Sequence, residues 1–171
     1  FSSTDSAFQA AANEIRSALG DGEPDLLLAF VSAEHSQSYE AVPRLCASFF
    51  DKALLIGCSG GGIIGGGHEV EHRPALSLTA AVLPDVKLTP FHVSSDELPD
   101  AEEAPAEFAA AFGVSADQDP HFLLLPDPFT CDPDQLVNGL DAVFPAARKV
   151  GGIASGSSHP GASALYLERS T

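Results

Sequence analysis

The segment Leu55 to His72, LIGCSGGGIIGGGHEVEH, carries three overlapping sets of residues whose types and spacing suit chemistry. Gly57-Cys58-Ser59-Gly60-Gly61 fits the G-x-S-x-G turn that exposes a serine nucleophile. Gly60 to Gly65 fits the G-x-G-x-x-G turn on which a dinucleotide pyrophosphate rests, and His68-Glu69-Val70-Glu71-His72 fits the H-E-x-x-H pair of zinc ligands with its general base. One short segment cannot serve all three purposes. The local backbone that each requires decides among them.

The serine turn needs a helix immediately after the nucleophile, so that backbone amides are aimed at the oxyanion. Gly60, Gly61, Gly62, Gly65, Gly66 and Gly67 follow Ser59, and each interior glycine costs a helix about 1 kcal/mol relative to alanine. His121 or His159 as base, and Asp127 or Asp132 as its orienter, are not selected by spacing. The dinucleotide pattern needs a helix at the same place and fails for the same reason. The zinc pattern needs two histidines one helical turn apart. Here His68 follows three glycines and His72 lies two residues before Pro74, leaving too little chain for a long helix. In an extended chain, residues 68, 70 and 72 face one way and Glu69 and Glu71 the other, so solvated histidines at a strand entrance are expected.

What remains is a strand end rich in bare amides, flanked by the Cys58 thiol and the Ser59 hydroxyl, with a second turn of like composition at Ser155-Gly156-Ser157-Ser158. Glycines permit φ > 0 and close approach of a ligand to the backbone, and concave clusters of amides favour carboxylates and other small anions. The candidate binding residues are therefore Gly57, Cys58, Ser59, Gly60, Gly61, Gly62, Ser155, Gly156 and Ser157. A purely structural turn is the competing reading. Cys58 has no cationic neighbour in sequence to lower its pKa, and a small buried hydrophobe is the commoner role for such a cysteine. His35, His92, His121 and His159 are scattered. No catalytic residue and no metal ligand set is expected.

The elements that must position these turns follow from periodicity and punctuation. Thr4 or Asp5 can cap a helix carrying Ala7, Phe8, Ala11, Ile15, Ala18 and Leu19 at helical spacing, ended by Gly20 and Gly22. Asp25 to Ser32 is a continuous apolar run, as for a strand covered on both faces. A helix with Val42, Leu45, Cys46, Phe49 and Phe50 inward follows, and then the strand Ala53 to Cys58. Ala75 to Leu83 and Val86 to Val93 read as an antiparallel hairpin across Pro84-Asp85. Phe108, Ala109 and Phe112 mark a short helix stopped by Gly113. A second strand-helix-strand pass begins at His121: Phe122 to Leu125, a helix with Asp132 as N-cap and Pro133 as N1, and Lys149 to Ala154. The expected fold is α/β of mixed α+β type, two strand-helix-strand units with mixed sheets flanked by helices. The echo between Gly57-Cys58-Ser59-Gly60 and Ser155-Gly156-Ser157-Ser158 suggests an internal duplication.

Composition bounds the function. The 171 residues suit one domain or a large part of a bigger protein. Twenty-four acids against eight bases give a formal charge of −16, which repels phosphate backbones and anionic lipid surfaces and argues against nucleic acid or membrane as partner. The acids are dispersed except in Asp96 to Glu107, so most form a solvated surface; three lysines only would also suit a saline cytoplasm. Three cysteines without C-x-x-C spacing point to a reducing compartment rather than a disulfide framework. No uninterrupted apolar run reaches the length of a membrane span. With Phe1 first, no methionine, and a second pass shorter than the first, the natural polypeptide is expected to extend at both ends.

The chain resembles the FIST family, sensory domains of bacterial signalling proteins and of some F-box proteins, over nearly its whole length and in its N-terminal half. The resemblance rests on Pro24 to Ser32 with His35 nearby, Leu55 to Gly67, Glu69-Val70-Glu71, Ala75 to Leu78, Phe122 to Pro128 and Gly151 to Gly156. It implies that residues 1–171 form a FIST N-terminal-like domain, with the C-terminal FIST half, a partner from its own polypeptide, absent. It also implies a cytoplasmic, non-catalytic domain that binds a small ligand, amino acids or small carboxylates, and passes a signal to a downstream protein. The cofactor is unknown, with haem implied by family analogy only. The alternatives are a hydrolase using Ser59 or Cys58 and an interaction scaffold that binds no ligand.

Overall fold

A computed structural model describes residues 3–169 of the chain. They form two compact units: the first comprises the residues up to Val86 together with those from Ala154 onward, the second Lys87–Ile153.

The first unit is built on a four-stranded mixed sheet. Helix α1 (Thr4–Leu19) precedes strand β1 (Leu26–Ser32), a 3-10 turn (Ala33–Ser38), helix α2 (Ala41–Phe49) and strand β2 (Leu54–Gly60). Strand β3 (Gly62–Gly65), β4 (His68–Glu71) and β5 (Leu76–Ala81) follow. The last strand, which we label β8 (Leu165–Arg169), closes the sheet in the order β5-β1-β2-β8. β1 and β2 are parallel, with Ala29 opposite Gly57 and Ser32 opposite Gly60, as a strand-helix-strand crossover demands. β5 and β8 are antiparallel to their neighbours.

Side-chain alternation along β1 sends Leu27, Ala29 and Val31 into the core, where they meet Phe8 and Ala12 of α1, Val42 and Cys46 of α2, and Phe50, Leu55 and Tyr166. Leu26, Leu28 and Phe30 on the opposite face are only half-buried, so β1 is not sealed on both faces as its unbroken apolar run suggests. Ser3, not Thr4 or Asp5, caps α1, its side chain accepting from the Ser6 amide. Thr4 is drawn into the interior instead. At the other end Arg16 donates to the Phe49 carbonyl at the terminus of α2 and lies over the Phe50 ring, 5.1 Å from its centre. One guanidinium thus satisfies an orphan helix carbonyl and packs on an aromatic face.

In the second unit, strand β6 (Phe122–Leu124), helix α4 (Pro133–Val143) and strand β7 (Lys149–Gly151) repeat the parallel strand-helix-strand order, preceded by helix α3 (Pro105–Ala111). Asp132 caps α4, accepting from the amides of Asp134 and Gln135. Phe108, Phe112, Phe122, Leu136, Leu140 and Phe144 form its core. The anticipated strand Val86 to Val93 does not form. The turn at Pro84-Asp85 is present, with Asp85 at φ 64° and the Val86 amide on the Leu83 carbonyl, but β5 pairs back onto β1 instead. Pro90 removes a ladder donor from the following segment, and Phe91 and Val93 pack on the second unit's core.

The two crossovers share a detail that sequence order conceals. A Cβ on Gly57 would lie 2.0 Å from the Ala29 carbonyl oxygen, and one on Gly151 would lie 1.8 Å from that of Leu124. Each glycine faces its partner strand's backbone so closely that no side chain fits. The position corresponding to Gly57 is therefore Gly151, not a residue of the Ser155-Gly156-Ser157-Ser158 turn.

Candidate functional site

The glycine-rich segment after β2 continues as a β-hairpin. β3 and β4 pair antiparallel, Gly65 opposite His68, around Gly66 and Gly67 at φ 58° and 78°. Two successive residues with positive φ make the tight turn whose twist matches a hairpin, and glycine takes that backbone without strain. Ser59 is thus followed by a strand, Gly65 ends a strand, and His68 to His72 run through and just past another. The helix that each enzyme pattern requires is replaced by extended chain, as the glycine content indicated. His68, Glu69, Glu71 and His72 are all exposed.

The C-terminal ends of β1 and β2 gather nearly all the buried polar side chains of the first unit. Ser32 ends β1, His35 lies in the next turn, and Ser59 stands at the end of β2, each almost inaccessible. Thr4 joins them from α1, its hydroxyl 2.8 Å from His35 Nδ1. Burial lowers the His35 pKa, Glu34 opposing that effect. Ser32 Oγ accepts from the Ala75 amide at 3.0 Å and donates to the Arg73 carbonyl at 3.3 Å. Tyr39 donates to the Ser32 carbonyl at 3.4 Å and packs edge-on against Tyr166. Burial raises the pKa of both tyrosines. The Tyr166 hydroxyl has no hydrogen-bond partner.

Both glycine-serine turns singled out in the sequence meet here. Ser59 Oγ donates to the Ser155 carbonyl at 3.0 Å and accepts from the Ala164 amide at 3.1 Å. The backbone repeats the link: Ser59 N–H donates to Ala164 O at 2.9 Å, and Ser155 N–H to Ser59 O at 3.1 Å. The Gly61 amide donates to Ser155 Oγ at 3.1 Å. Gly156, at φ 86°, sits so close to the first turn that a Cβ would lie 2.8 Å from the Gly60 carbonyl oxygen. Ser157 Oγ is 2.7 Å from Ser163 Oγ.

This arrangement divides the nine candidates. Gly57, Cys58 and Ser59 are buried and form the floor. Burial pushes the Cys58 thiol up to about 11, so it is protonated near neutral pH. Gly60 is half-buried and Gly62 pairs with Glu71 in the hairpin. Gly61, Gly62, Ser155 and Gly156 are exposed, and Ser157 is half-buried. Among the described residues no protein acceptor receives the amides of Gly156, Ser157 or Ser158. Gly156, at φ 86°, is thus followed by two further N–H groups without a protein acceptor, the kind of backbone on which small anions are held. Thr4, Ser32, His35, Tyr39 and Tyr166 lie outside the nine candidates, although Thr4 is a cap candidate and Ser32 and His35 fall in the segment that carries the family resemblance. Only the polar Ser32 at the end of an apolar run offered a signal, since burial of the others depends on contacts between distant segments.

Residues 25–170 match the FIST N domain. The chain belongs to the FIST N domain family. Two uncharacterized proteins from two strains of Mycobacterium tuberculosis are each 32% identical over 163 residues, covering 93% of this chain and 40% of the relative. An uncharacterized protein of Mycobacterium bovis is 25% identical over 158 residues, 92% of this chain and 39% of its own. This FIST N chain therefore spans about two fifths of the length of the curated relatives it matches. No solved structure matches it. Membership is consistent with a sensory role in signal transduction. No helix among the described residues is long and apolar enough to cross a membrane.

The residues present do not fit a haem. An axial ligand must open onto an apolar slot, but His35 is buried with Nδ1 held by Thr4, and His68, His72, His92, His121 and His159 all project from exposed positions.

Proposed function

We propose that this FIST N domain is a non-catalytic, cytoplasmic sensor of small carboxylates, amino acids among them, and that the ligand's carboxylate is received by the amides of Gly156, Ser157 and Ser158. The observation that carries the reading is the state of those three N–H groups, which are bare and consecutive and directly follow the Ser155 that is doubly linked to Ser59. Ligands of α/β sheets characteristically bind beyond the carboxyl ends of parallel strands, and this turn is hydrogen-bonded to the carboxyl end of β2 through Ser59 and Ser155. A net charge of −16 opposes anions at long range, so the fit is to a small ligand held by directed hydrogen bonds rather than to a polyanion. Signalling through the remainder of the polypeptide and a downstream protein completes the proposal.

The test is a thermal-shift titration of the full-length protein with acetate, succinate and a panel of amino acids, repeated on Ser158→Pro. That substitution removes one bare amide and no backbone hydrogen bond. A saturable rise in melting temperature that Ser158→Pro loses supports the reading. Absence of any saturable shift, or an equal shift in the variant, sinks it.

A further inference from the structure

The second unit holds a carboxyl group that its own surroundings leave incomplete. Asp127 is 6% exposed, and its Oδ1 is buried without a hydrogen-bond partner. Its Oδ2 receives only the Thr130 hydroxyl, at 3.3 Å, and that hydroxyl also lies 3.5 Å from Asp127's own carbonyl oxygen. One hydroxyl proton serves one acceptor at a time. The nearby amides are no help: Thr130 N–H and Cys131 N–H both donate to the Asp127 carbonyl, at 3.1 and 2.9 Å. Pro126 and Pro128 on either side have no N–H to give. Asp132, five positions on in the same loop, shows the usual outcome, with Oδ1 taking two amides at 3.0 and 3.1 Å.

A carboxylate offers about four acceptor positions, and burying one with an oxygen unmet is costly unless a donor or counter-charge arrives. Among the described residues no group of three or more His, Cys, Asp or Glu side chains is placed to hold a metal ion, so Asp127 has no co-ligands for a cation of that kind. A nitrogen cation needs none, since it brings N–H donors and charge together. The loop begins at the carboxyl end of β6, beside the parallel strand β7, the position from which α/β units address ligands. Phe129 stands 42% exposed two residues from Asp127, an aromatic surface of the sort that attracts cations.

We propose that Asp127 is the anchor of a second binding site, which takes the ammonium or guanidinium group of a small cationic ligand. Because Oδ1 is closed off from solvent, the loop around Asp127 must shift for Oδ1 to accept one N–H of that group, and the remaining N–H donors stay with solvent or the loop. The proposal is independent of the carboxylate site, because it uses none of the same residues.

A thermal-shift titration of the full-length protein with n-butylammonium and with guanidinium at low millimolar concentration, at constant ionic strength, tests it. Tetramethylammonium, which carries charge but no N–H, is the control. The expected result is a saturable rise in melting temperature with the two N–H cations, none with tetramethylammonium, and loss of at least tenfold in apparent affinity in Asp127→Asn. The response of Asp127→Asn to carboxylates should be unchanged, which separates failure here from failure of the carboxylate reading. No saturable response to either N–H cation, an equal response to tetramethylammonium, or an undiminished response in Asp127→Asn overturns the proposal. Should Asp127→Asn not fold, Thr130→Val decides. It strips Oδ2 of its single donor, so a stronger response to the N–H cations supports the site and an equal or weaker one overturns it.

Discussion

Ser59 and Ser155, almost a hundred residues apart in sequence, are joined twice: the Ser59 hydroxyl donates to the Ser155 carbonyl at 3.0 Å, and the Ser155 amide donates to the Ser59 carbonyl at 3.1 Å. A hydroxyl that also accepts from Ala164 and is 1% exposed acts as a clasp. Replacing Ser59 with alanine removes both of these part-buried side-chain hydrogen bonds, to the Ser155 carbonyl and from the Ala164 amide, each worth about 0.5–1.5 kcal/mol. Ser59→Ala should therefore lower the unfolding free energy by roughly 2 kcal/mol in urea denaturation, and a fluorophosphonate probe should leave Ser59 unlabelled in the native protein. A variant as stable as the parent would show that the clasp carries no weight.

Gly57 and Gly151 make a paired prediction. A methyl at either position must displace the facing strand's carbonyl, since the built Cβ falls 2.0 or 1.8 Å from it. Overpacking in a closed core costs about 1–3 kcal/mol when side chains can yield, and backbone in a parallel ladder yields less. Gly57→Ala and Gly151→Ala should each destabilise by at least about 3 kcal/mol or prevent folding. Gly152→Ala, whose Cβ meets nothing within 4 Å, should stay within about 0.5 kcal/mol of the parent. Circular dichroism melts of the three variants check the contrast.

These glycines also show where the sequence was legible and where it was not. Apolar periodicity found α1, β1, α2 and β2 because each buries one face locally, and Asp132-Pro133 announced the start of α4 through capping chemistry. Glycine crowding after Ser59 was enough to reject a helix there. Two matters depended on pairing between distant segments. Nothing local in Val86 to Val93 discloses that β5 returns to β1, and the composition of Ser155 to Ser158 resembles the first turn although Gly151 occupies the structural position of Gly57. The contact between the turns was equally hidden, being made by backbone groups that every residue possesses. Buried His35 and half-buried Tyr39 read as surface residues until α1 and β8 are placed against them.

Cys58 supplies a chemical check on the floor of the site. Its thiol is 4% exposed and burial raises its pKa to about 11, so both access and thiolate population are low at pH 7.5. Iodoacetamide should leave Cys58 unmodified over hours in the native protein and alkylate it within minutes in urea, followed by mass spectrometry of the peptide that contains it. Rapid native labelling would place the thiol at the surface and revive a cysteine nucleophile.

His35 gives stability a pH dependence whose sign is fixed by its environment. Burial lowers its pKa below the ordinary 6.5, so the folded state binds its proton less readily than the unfolded chain. The neutral ring's contribution is therefore complete above about pH 6.5 and is lost as pH falls through the lowered folded value, because protons then favour the unfolded state. The Thr4 hydroxyl on Nδ1 ties that loss to the first turn of α1. Urea midpoints measured between pH 7.5 and 5 should fall with decreasing pH in the parent, and fall less in His35→Gln, which keeps a polar side chain but cannot titrate. Thr4→Val should lower stability at both pH values while preserving the dependence, since it removes the hydroxyl and leaves the buried ring. Parallel curves for the parent and His35→Gln would assign the pH dependence to other groups.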